Sequence, residues 1–223
     1  MKIGSFLNLS LTDWKEHLAP IIFTKGCNLR CPWCHNPDLV LPHLYSEGPT
    51  IYKIMNIIFQ RKDIYTGIVI SGGEPTIQDE ALIRFLKILK HYTDLPVKLY
   101  TNGTRPDVIK CLLSDGLIDC LCVDYKMLLK DYHNIVGCET AVSKWTPQSI
   151  VHSLQLTETV DGEIRTTIIP SKVIHTKKYL ADMERELSSL VDLAKVEWIK
   201  QPFIQPENGT LNDRRAEFTE TTG

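Results

Sequence analysis

Three cysteines lie within eight consecutive residues, directly after a short apolar run. Cys27, Cys31 and Cys34 have the spacing C-x3-C-x2-C. Thiolates on so short a loop can converge on one inorganic centre. Iron–sulfur cubanes normally take four cysteine ligands, so three thiolates leave one iron without a protein ligand. An open coordination position is where a metal centre performs chemistry, as catalytic zinc sites illustrate. The spacing therefore predicts a reactive iron–sulfur centre on these three cysteines.

The cysteine segment also allows other interpretations. Residues 26–36 include glycine, proline, asparagine and arginine, so cysteines of an ordinary hydrophobic core are not expected there. A zinc site formed by the same three thiolates with His35 is chemically reasonable. The chain has seven cysteines, an odd number that points away from paired disulfides. Cys111 and Cys138 are isolated and carry no functional prediction.

A pair of glycines beside a carboxylate ends the second apolar run. Residues 71–75 read Ser-Gly-Gly-Glu-Pro. Gly72 and Gly73 let the backbone approach a ligand closely, and Glu74 offers a carboxylate to an ammonium group. An ordinary turn from a strand into a helix would use the same residue types. Thr101 and Asn102 close the next apolar run, before a turn-forming glycine.

Charged residues follow in the fourth and fifth apolar runs. Asp124 and Lys126 share one strand face with Cys120 and Cys122, by the two-residue period of a strand. Unpaired buried charges are costly, so Asp124 and Lys126 either pair with each other or serve a site. The two cysteines are interpreted as small core residues. Arg165 begins the fifth run, where it either projects inward or forms a surface salt bridge.

Short apolar runs alternate with segments of helical spacing after residue 20. The runs lie at residues 21–24, 67–71, 97–101, 118–125, 163–169 and 196–199. Apolar residues recur at three- and four-residue steps in residues 51–59, 81–89, 108–113 and 180–190. This alternation predicts an α/β fold with parallel strands. About six units are too few for a closed eight-stranded barrel. We therefore expect an open, partial (β/α)6 barrel, with a flat doubly wound sheet as the competitor, and an active site at the carboxyl ends of the strands.

The composition is that of one ordinary globular domain. Of 223 residues, 43% are hydrophobic, and the formal net charge of -2 gives no sign of nucleic-acid binding. No stretch approaches the apolar length of a membrane span, and the N-terminus lacks the apolar segment of a secretory signal. We expect a cytoplasmic protein with one domain at residues 1–205 and a polar, loosely held C-terminal tail at residues 206–223.

The cysteine loop and the glycine–glutamate turn together resemble the motifs of the radical S-adenosylmethionine (SAM) superfamily. Trp33, just before the last cysteine, matches the family's aromatic position, which typically lies near the adenine. The resemblance implies a [4Fe-4S] cluster on Cys27, Cys31 and Cys34, with SAM chelating the fourth iron. It further implies that the turn containing Glu74 binds the amino group of SAM.

The same resemblance assigns the remaining polar residues to the cofactor. Thr101 and Asn102 match the family's T-N-G, and Asp124 with Lys126 matches a D-x-K found beside the cofactor in glycyl-radical activases. Arg165 is similar to an arginine that contacts the cofactor in relatives. In formate-lyase activating relatives an Asp often precedes the Thr and helps to hold a monovalent cation. Tyr100 stands there in this chain, so the resemblance does not extend to that cation site.

Over nearly the whole chain the sequence is most similar to activating proteins of anaerobic ribonucleoside-triphosphate reductase. This implies that an electron from a reduced flavodoxin- or ferredoxin-type donor passes through the cluster to the sulfonium of SAM. The resulting 5′-deoxyadenosyl radical would remove a hydrogen from a glycine Cα of the partner enzyme. We expect partners of these two kinds, and neither a membrane nor a nucleic acid.

Two alternatives accompany this interpretation. The first is a radical SAM enzyme that acts on a small molecule or on another protein. Deazapurine carboxy-forming synthases usually carry a G-E-G-x-x-x-G stretch before the cysteines, which this sequence lacks. The second is a non-catalytic iron–sulfur or zinc binding module, in which Glu74, Asp124 and Lys126 are merely structural.

Overall fold

Seven strands form one sheet in a computed structural model that describes residues 1–135, 145–171, 174–207 and 209–213. The strands are β1 (Ile3–Ser10), β2 (Ala19–Thr24), β3 (Ile68–Gly72), β4 (Val97–Thr101), β5 (Cys120–Asp124), β6 (Asp161–Ile168) and β7 (Glu197–Pro202). Their order in the sheet follows their order in the chain. β1 pairs antiparallel with β2, and every later pair is parallel. The expected open barrel of six parallel strands is confirmed, with β1 as an additional edge strand.

Within the described ranges, six α-helices connect these strands. They are α1 (Pro37–Val40), α2 (Ile51–Gln60), α3 (Asp79–Tyr92), α4 (Pro106–Ser114), α5 (Pro147–Leu156) and α6 (Lys177–Leu190). Short 3-10 helices cover Pro42–Leu44, Pro75–Gln78, Leu129–Ile135 and Thr157–Thr159. The four segments with helical spacing correspond to α2, α3, α4 and α6, whereas α5 was not predicted. None of the helices in the described ranges has the length and apolar character needed to cross a bilayer.

The two faces of the sheet bury different residues. The face that packs against the helices carries the large aliphatic core, including Ile68, Ile70 and Leu99. The opposite face holds a smaller cluster that consists of Trp14, Ala19, Ile21, Val69, Tyr100, Cys120 and Cys122. The expectation that Cys120 and Cys122 are core residues is confirmed, since both are fully buried.

The C-terminal segment is packed more firmly than the sequence predicts. Leu211 is completely buried, and its amide donates a hydrogen bond to the carbonyl of Cys34. The expectation of a loosely held end is therefore wrong for residues 209–213, because one apolar side chain in a polar stretch finds a complementary apolar site. Residues 214–223 and Cys138 lie outside the described residues. The division between residues 205 and 206 stays a prediction.

A buried ion pair crosses the inner face of the sheet. The ammonium of Lys98 on β4 lies 2.7 Å from each carboxylate oxygen of Glu163 on β6. The side chains are only 2% and 17% exposed, respectively. Removing one member of such a pair leaves the other charge buried without compensation.

We predict that Lys98→Ala lowers the free energy of unfolding by about 3 kcal/mol, because Glu163 loses its buried cation. Urea denaturation of the purified protein measures this change. Lys87→Ala is the matched control, since its ion pair with Asp115 is largely exposed to solvent. Equal effects of the two substitutions would contradict a special role for the buried pair.

Candidate functional site

All the residues that the sequence predicts for the site line one cavity at the carboxyl ends of the parallel strands. They are Cys27, Cys31, Trp33, Cys34, Gly72, Gly73, Glu74, Thr101, Asn102, Asp124, Lys126 and Arg165. The cavity has a volume of about 160 Å³. Its position agrees with the rule that parallel α/β sheets place their sites at this edge. The binding roles of the individual side chains remain predictions.

Backbone hydrogen bonds on both sides hold the cysteine loop in place. Gly26, whose φ of +91° favours glycine, donates to the carbonyl of Leu39 at 2.7 Å. The amide of Arg30 donates to the carbonyl of Ile135 at 2.9 Å. The guanidinium of Arg30 donates to the carbonyl of Cys27 at 2.6 Å. Main-chain groups and the Arg30 side chain thus fix the loop, and the three thiols line the cavity.

Burial dominates the electrostatics of the three thiols. It raises the pKa of Cys27 to about 12, with further contributions from Glu74 and Cys31. Burial likewise raises the pKa of Cys31 to about 11 and raises the pKa of Cys34. The positive charge of Lys126 opposes this rise at Cys31 and Cys34. The thiols are therefore neutral without a metal centre, and binding one must release protons.

The lining of the cavity suits a multi-iron centre on the three thiols. Among the residues that the structure describes, no group of three or more His, Cys, Asp or Glu is arranged to hold one metal ion. The His35 ring, which a zinc site would use, stacks on Phe203 at a centroid distance of 4.9 Å. Among the described residues three thiols line the cavity and no fourth cysteine does, which suits a cubane that keeps one iron open.

Gly72 and Gly73 are required by the close approach of β3 to β2. A Cβ atom on Gly72 would lie 2.2 Å from the amide nitrogen of Thr24. A Cβ atom on Gly73 would lie 2.0 Å from the carbonyl oxygen of Gly26. The glycines therefore let two protein backbones meet, in addition to lining the cavity where a ligand could approach.

The Glu74 carboxylate joins the ends of β3 and β4. It is completely buried and accepts hydrogen bonds from the Thr101 hydroxyl at 2.7 Å and the Asn102 amide at 2.6 Å. The Thr76 amide and hydroxyl also donate to it, at 3.0 and 2.5 Å. Burial raises the pKa of Glu74, and these four donors oppose the rise. Glu74 is thus a structural clamp as well as a potential ligand of an ammonium group.

A buried amide network leads from Asn102 to Cys27. The side-chain amide of Asn102 lies 3.8 Å from the Cys27 sulfur and 2.9 Å from the Asn28 carbonyl oxygen. Asn28 in turn donates to the Thr104 hydroxyl at 2.8 Å. The Leu29 amide is a second donor to the Cys27 sulfur, at 3.4 Å. Donors aimed at a cysteine sulfur stabilise its thiolate and tune a cluster that it holds. Asn28 and Thr104 were not predicted.

Asp124, Lys126 and Arg165 form one charged cluster on the cavity wall. Lys126 Nζ lies 2.9 Å from one carboxylate oxygen of Asp124, and Arg165 Nη2 lies 2.9 Å from the other. Burial alone would raise the pKa of Asp124, but Arg165 and Lys126 outweigh it and lower the pKa. Arg165 therefore projects inward, and the two cations give the wall a net positive charge that suits an anionic ligand.

Tyr100 and His175 support this cluster, and neither was predicted to do so. The Tyr100 ring lies 4.4 Å from the Arg165 guanidinium and 4.9 Å from Lys98 Nζ. His175 accepts from the Ile169 amide at Nδ1, so its Nε2 donates to the Lys126 carbonyl at 2.9 Å. Burial lowers the pKa of His175, which keeps this neutral tautomer in place. Ser71, Asn36, Val40 and Thr167 also line the cavity.

Known proteins resemble the chain in sequence and in fold. A family model, that of the radical SAM superfamily, matches residues 21–145. A protein of Methanocaldococcus jannaschii, provisionally named a glycyl-radical enzyme activating enzyme, is 36% identical over 171 residues, which cover 75% of this chain and 68% of that protein. A Haemophilus influenzae protein with the same kind of name is 33% identical over 192 residues, which cover 82% of this chain and 63% of that protein.

The crystal structure of QueE from Escherichia coli has the same fold, with a TM-score of 0.54 and 16% sequence identity, and the match covers 98% of this chain and 88% of that one. The family's cofactors are a [4Fe-4S] cluster and SAM, and the cavity lined by the three cysteines fits that pair. The cysteine loop, the glycine–glutamate turn, the open parallel barrel and the match of the family model lead to one conclusion: the chain belongs to the radical SAM superfamily.

Proposed function

We propose that this chain is a glycyl-radical enzyme activase, and that its partner is anaerobic ribonucleoside-triphosphate reductase. Cys27, Cys31 and Cys34 would hold the cluster. When bound, the cluster and SAM together supply the one-electron cleavage that yields methionine and a 5′-deoxyadenosyl radical. The radical would be stored on a glycine of the partner. A flavodoxin- or ferredoxin-type protein would supply the electron.

The observation that carries the proposal is that the three cysteines share one cavity with a positively charged wall. On that wall the two cations, Lys126 and Arg165, exceed the single charge of Asp124, and the Glu74 carboxylate also lines the cavity. Such a wall can orient the carboxylate of SAM, and Glu74 can accept from its ammonium group. The Asn102 amide beside Cys27 and the aromatic ring of Trp33 complete the lining. The protein's part is to bind, to orient and to exclude water.

The names of the two relatives support an activase, and the architecture is consistent with a protein substrate. The sheet ends at β1 on one side and at β7 on the other, so the barrel stays open in the described part of the chain. A large partner could reach the cavity through that opening. The choice of anaerobic ribonucleoside-triphosphate reductase rests on the sequence resemblance alone.

We predict that the protein, reconstituted anaerobically with iron and sulfide, produces 5′-deoxyadenosine from SAM when dithionite is added. Chromatography with mass spectrometry quantifies the product. Cys31→Ala removes a cluster ligand, so it should abolish product formation while the barrel stays folded. Cys111→Ala is the matched control, because Cys111 lies on α4 and does not line the cavity.

Product in the wild type and in the control variant, but not in Cys31→Ala, supports the radical chemistry. Equal product in both cysteine variants would contradict the ligand assignment, and no product from a fully loaded cluster would favour a binding module. A glycyl-radical signal in electron paramagnetic resonance (EPR), after addition of anaerobic ribonucleoside-triphosphate reductase, tests the partner. If the signal appeared with pyruvate formate-lyase and not with anaerobic ribonucleoside-triphosphate reductase, the proposed partner would be wrong and pyruvate formate-lyase would take its place.

We predict that Glu74→Ala weakens SAM binding by about tenfold while the iron content stays normal, since supporting hydrogen-bond partners of cofactor sites typically contribute that much. Equilibrium binding to the reconstituted protein measures the affinity. Glu80→Ala, on the exposed start of α3, should leave the affinity unchanged. An unchanged affinity in Glu74→Ala would remove Glu74 from the site.

A further inference from the structure

After β7 the chain returns across the carboxyl ends of the strands to the cysteine loop. The amide of Phe203 donates to the carbonyl of Ile168 at 3.1 Å, which continues the pairing with β6. The Phe203 ring then stacks on His35, one residue beyond the last cysteine, with an interplanar angle of 24°. This stacking joins the C-terminal segment to the cysteine loop, and a hydrogen bond between His35 and the Ile204 backbone lies beside it.

Residues 209–213 also contact the cysteine loop, through their backbone. The amide of Leu211 donates to the carbonyl of Cys34 at 3.2 Å, and the amide of Asn212 donates to the carbonyl of Pro32 at 3.0 Å. Both acceptors belong to the part of the loop that carries the last cysteine. We call Phe203 and residues 209–213 the C-terminal strap.

The Leu211 side chain fills an apolar site beneath the cysteines. It is completely buried and clusters with Val40 and Leu41. Cys27 and Cys34 pack against this cluster. Since Val40 and both cysteines also line the cavity, Leu211 lies directly behind the cavity wall. Leu211 therefore supports the Cys34 side of the site from behind.

The strap holds its shape through local hydrogen bonds. The Asp213 carboxylate accepts from the amide and the hydroxyl of Thr210, both at 2.7 Å. Gly209 adopts a φ of +75°, and its amide donates to the carbonyl of Pro206 at 3.1 Å. Leu211 is therefore presented by a preformed turn and does not depend on its apolar contacts alone.

We propose that the C-terminal strap shields the cluster from oxygen and water on its Cys34 side, with Leu211 as the positioning residue. The apolar shell around a metal centre controls solvent access to it, and exposure tunes the cluster itself. The inference rests on the cluster assignment made under Proposed function and is independent of the partner. The strap lies beyond residues 21–145, which the family model matches, so the inference gives a role in the site to residues outside that region.

The first test uses the reduced, metal-free full chain and measures alkylation of each cysteine by iodoacetamide with mass spectrometry. In Leu211→Ala we expect Cys34 to react about tenfold faster, because loss of buried contacts promotes local opening. Cys111 serves as the internal standard and should react at an unchanged rate. Leu211→Met should restore the wild-type rate at Cys34. Ile204→Ala is the matched control, since Ile204 belongs to the same segment and is 73% exposed.

The second test uses the reconstituted protein and follows the loss of iron–sulfur absorbance in air. We expect Leu211→Ala to bleach several-fold faster than the wild type and Ile204→Ala to bleach at the wild-type rate. Asp213→Ala, which removes the acceptor for Thr210, should lie in between. If Leu211→Ala also accelerates the alkylation of Cys111 through general unfolding, the result for Asp213→Ala decides whether the strap shields the cluster.

Unchanged alkylation of Cys34, or unchanged bleaching, in Leu211→Ala and Asp213→Ala would overturn the shielding role. A wild-type protein that cannot be loaded with a cluster would instead contradict the proposed function. In that case the alkylation rates still decide whether the strap covers Cys34.

Discussion

The ends of β2 and β3 meet backbone to backbone, and the geometry of the whole site depends on this contact. The Gly73 amide donates to the Thr24 carbonyl at 2.9 Å, and the Glu74 amide donates to the Gly26 carbonyl at 2.7 Å. No side chain fits between these strands at Gly72 and Gly73. The contact fixes the point at which the cysteine loop leaves the sheet. It also fixes the position of the Glu74 backbone, from which the carboxylate extends. From there, Glu74 fixes the end of β4, and Asn102 reaches back to Cys27.

The charges on the inner face follow from the open architecture. An open barrel does not need an apolar side chain at every inward-facing position, but each buried charge still needs a partner. Lys98 pairs with Glu163, and Asp124 pairs with Lys126 and Arg165. Tyr100 lies between the two groups and contacts a cation of each. The arrangement leaves positive charge where the carboxylate of a cofactor could bind, and a paired, neutral layer below it.

The parallel barrel and the set of residues that line the cavity could both be predicted from the sequence, because both depend on local patterns. Apart from β1, each strand was an apolar run, and the site residues other than Arg165 lie at or after the end of a strand. β1 was missed because it is an edge strand whose glycine, serine and asparagine hide the alternation. α5 was missed because its buried face is short and includes a polar residue, Ser153, beside Ile150, Val151 and Leu154.

Features that depend on tertiary contacts could not be predicted. Asn28 and Thr104 are ordinary polar residues until β4 brings them together beside Cys27. The strained backbone of His175, with a φ of +57°, leaves no trace in its neighbours along the chain. Leu211 is a single apolar residue in a polar stretch, and only the fold supplies the apolar site that buries it.

The central claim is that Cys27, Cys31 and Cys34 hold a four-iron cluster whose open iron accepts SAM. EPR spectroscopy of the reconstituted, reduced protein tests it most directly, with spectra recorded before and after addition of SAM. We expect the signal of a reduced [4Fe-4S] cluster, and a clear change in that signal when SAM binds to the open iron. A cluster signal that SAM leaves unchanged, or a protein that binds zinc and forms no cluster, would contradict the account.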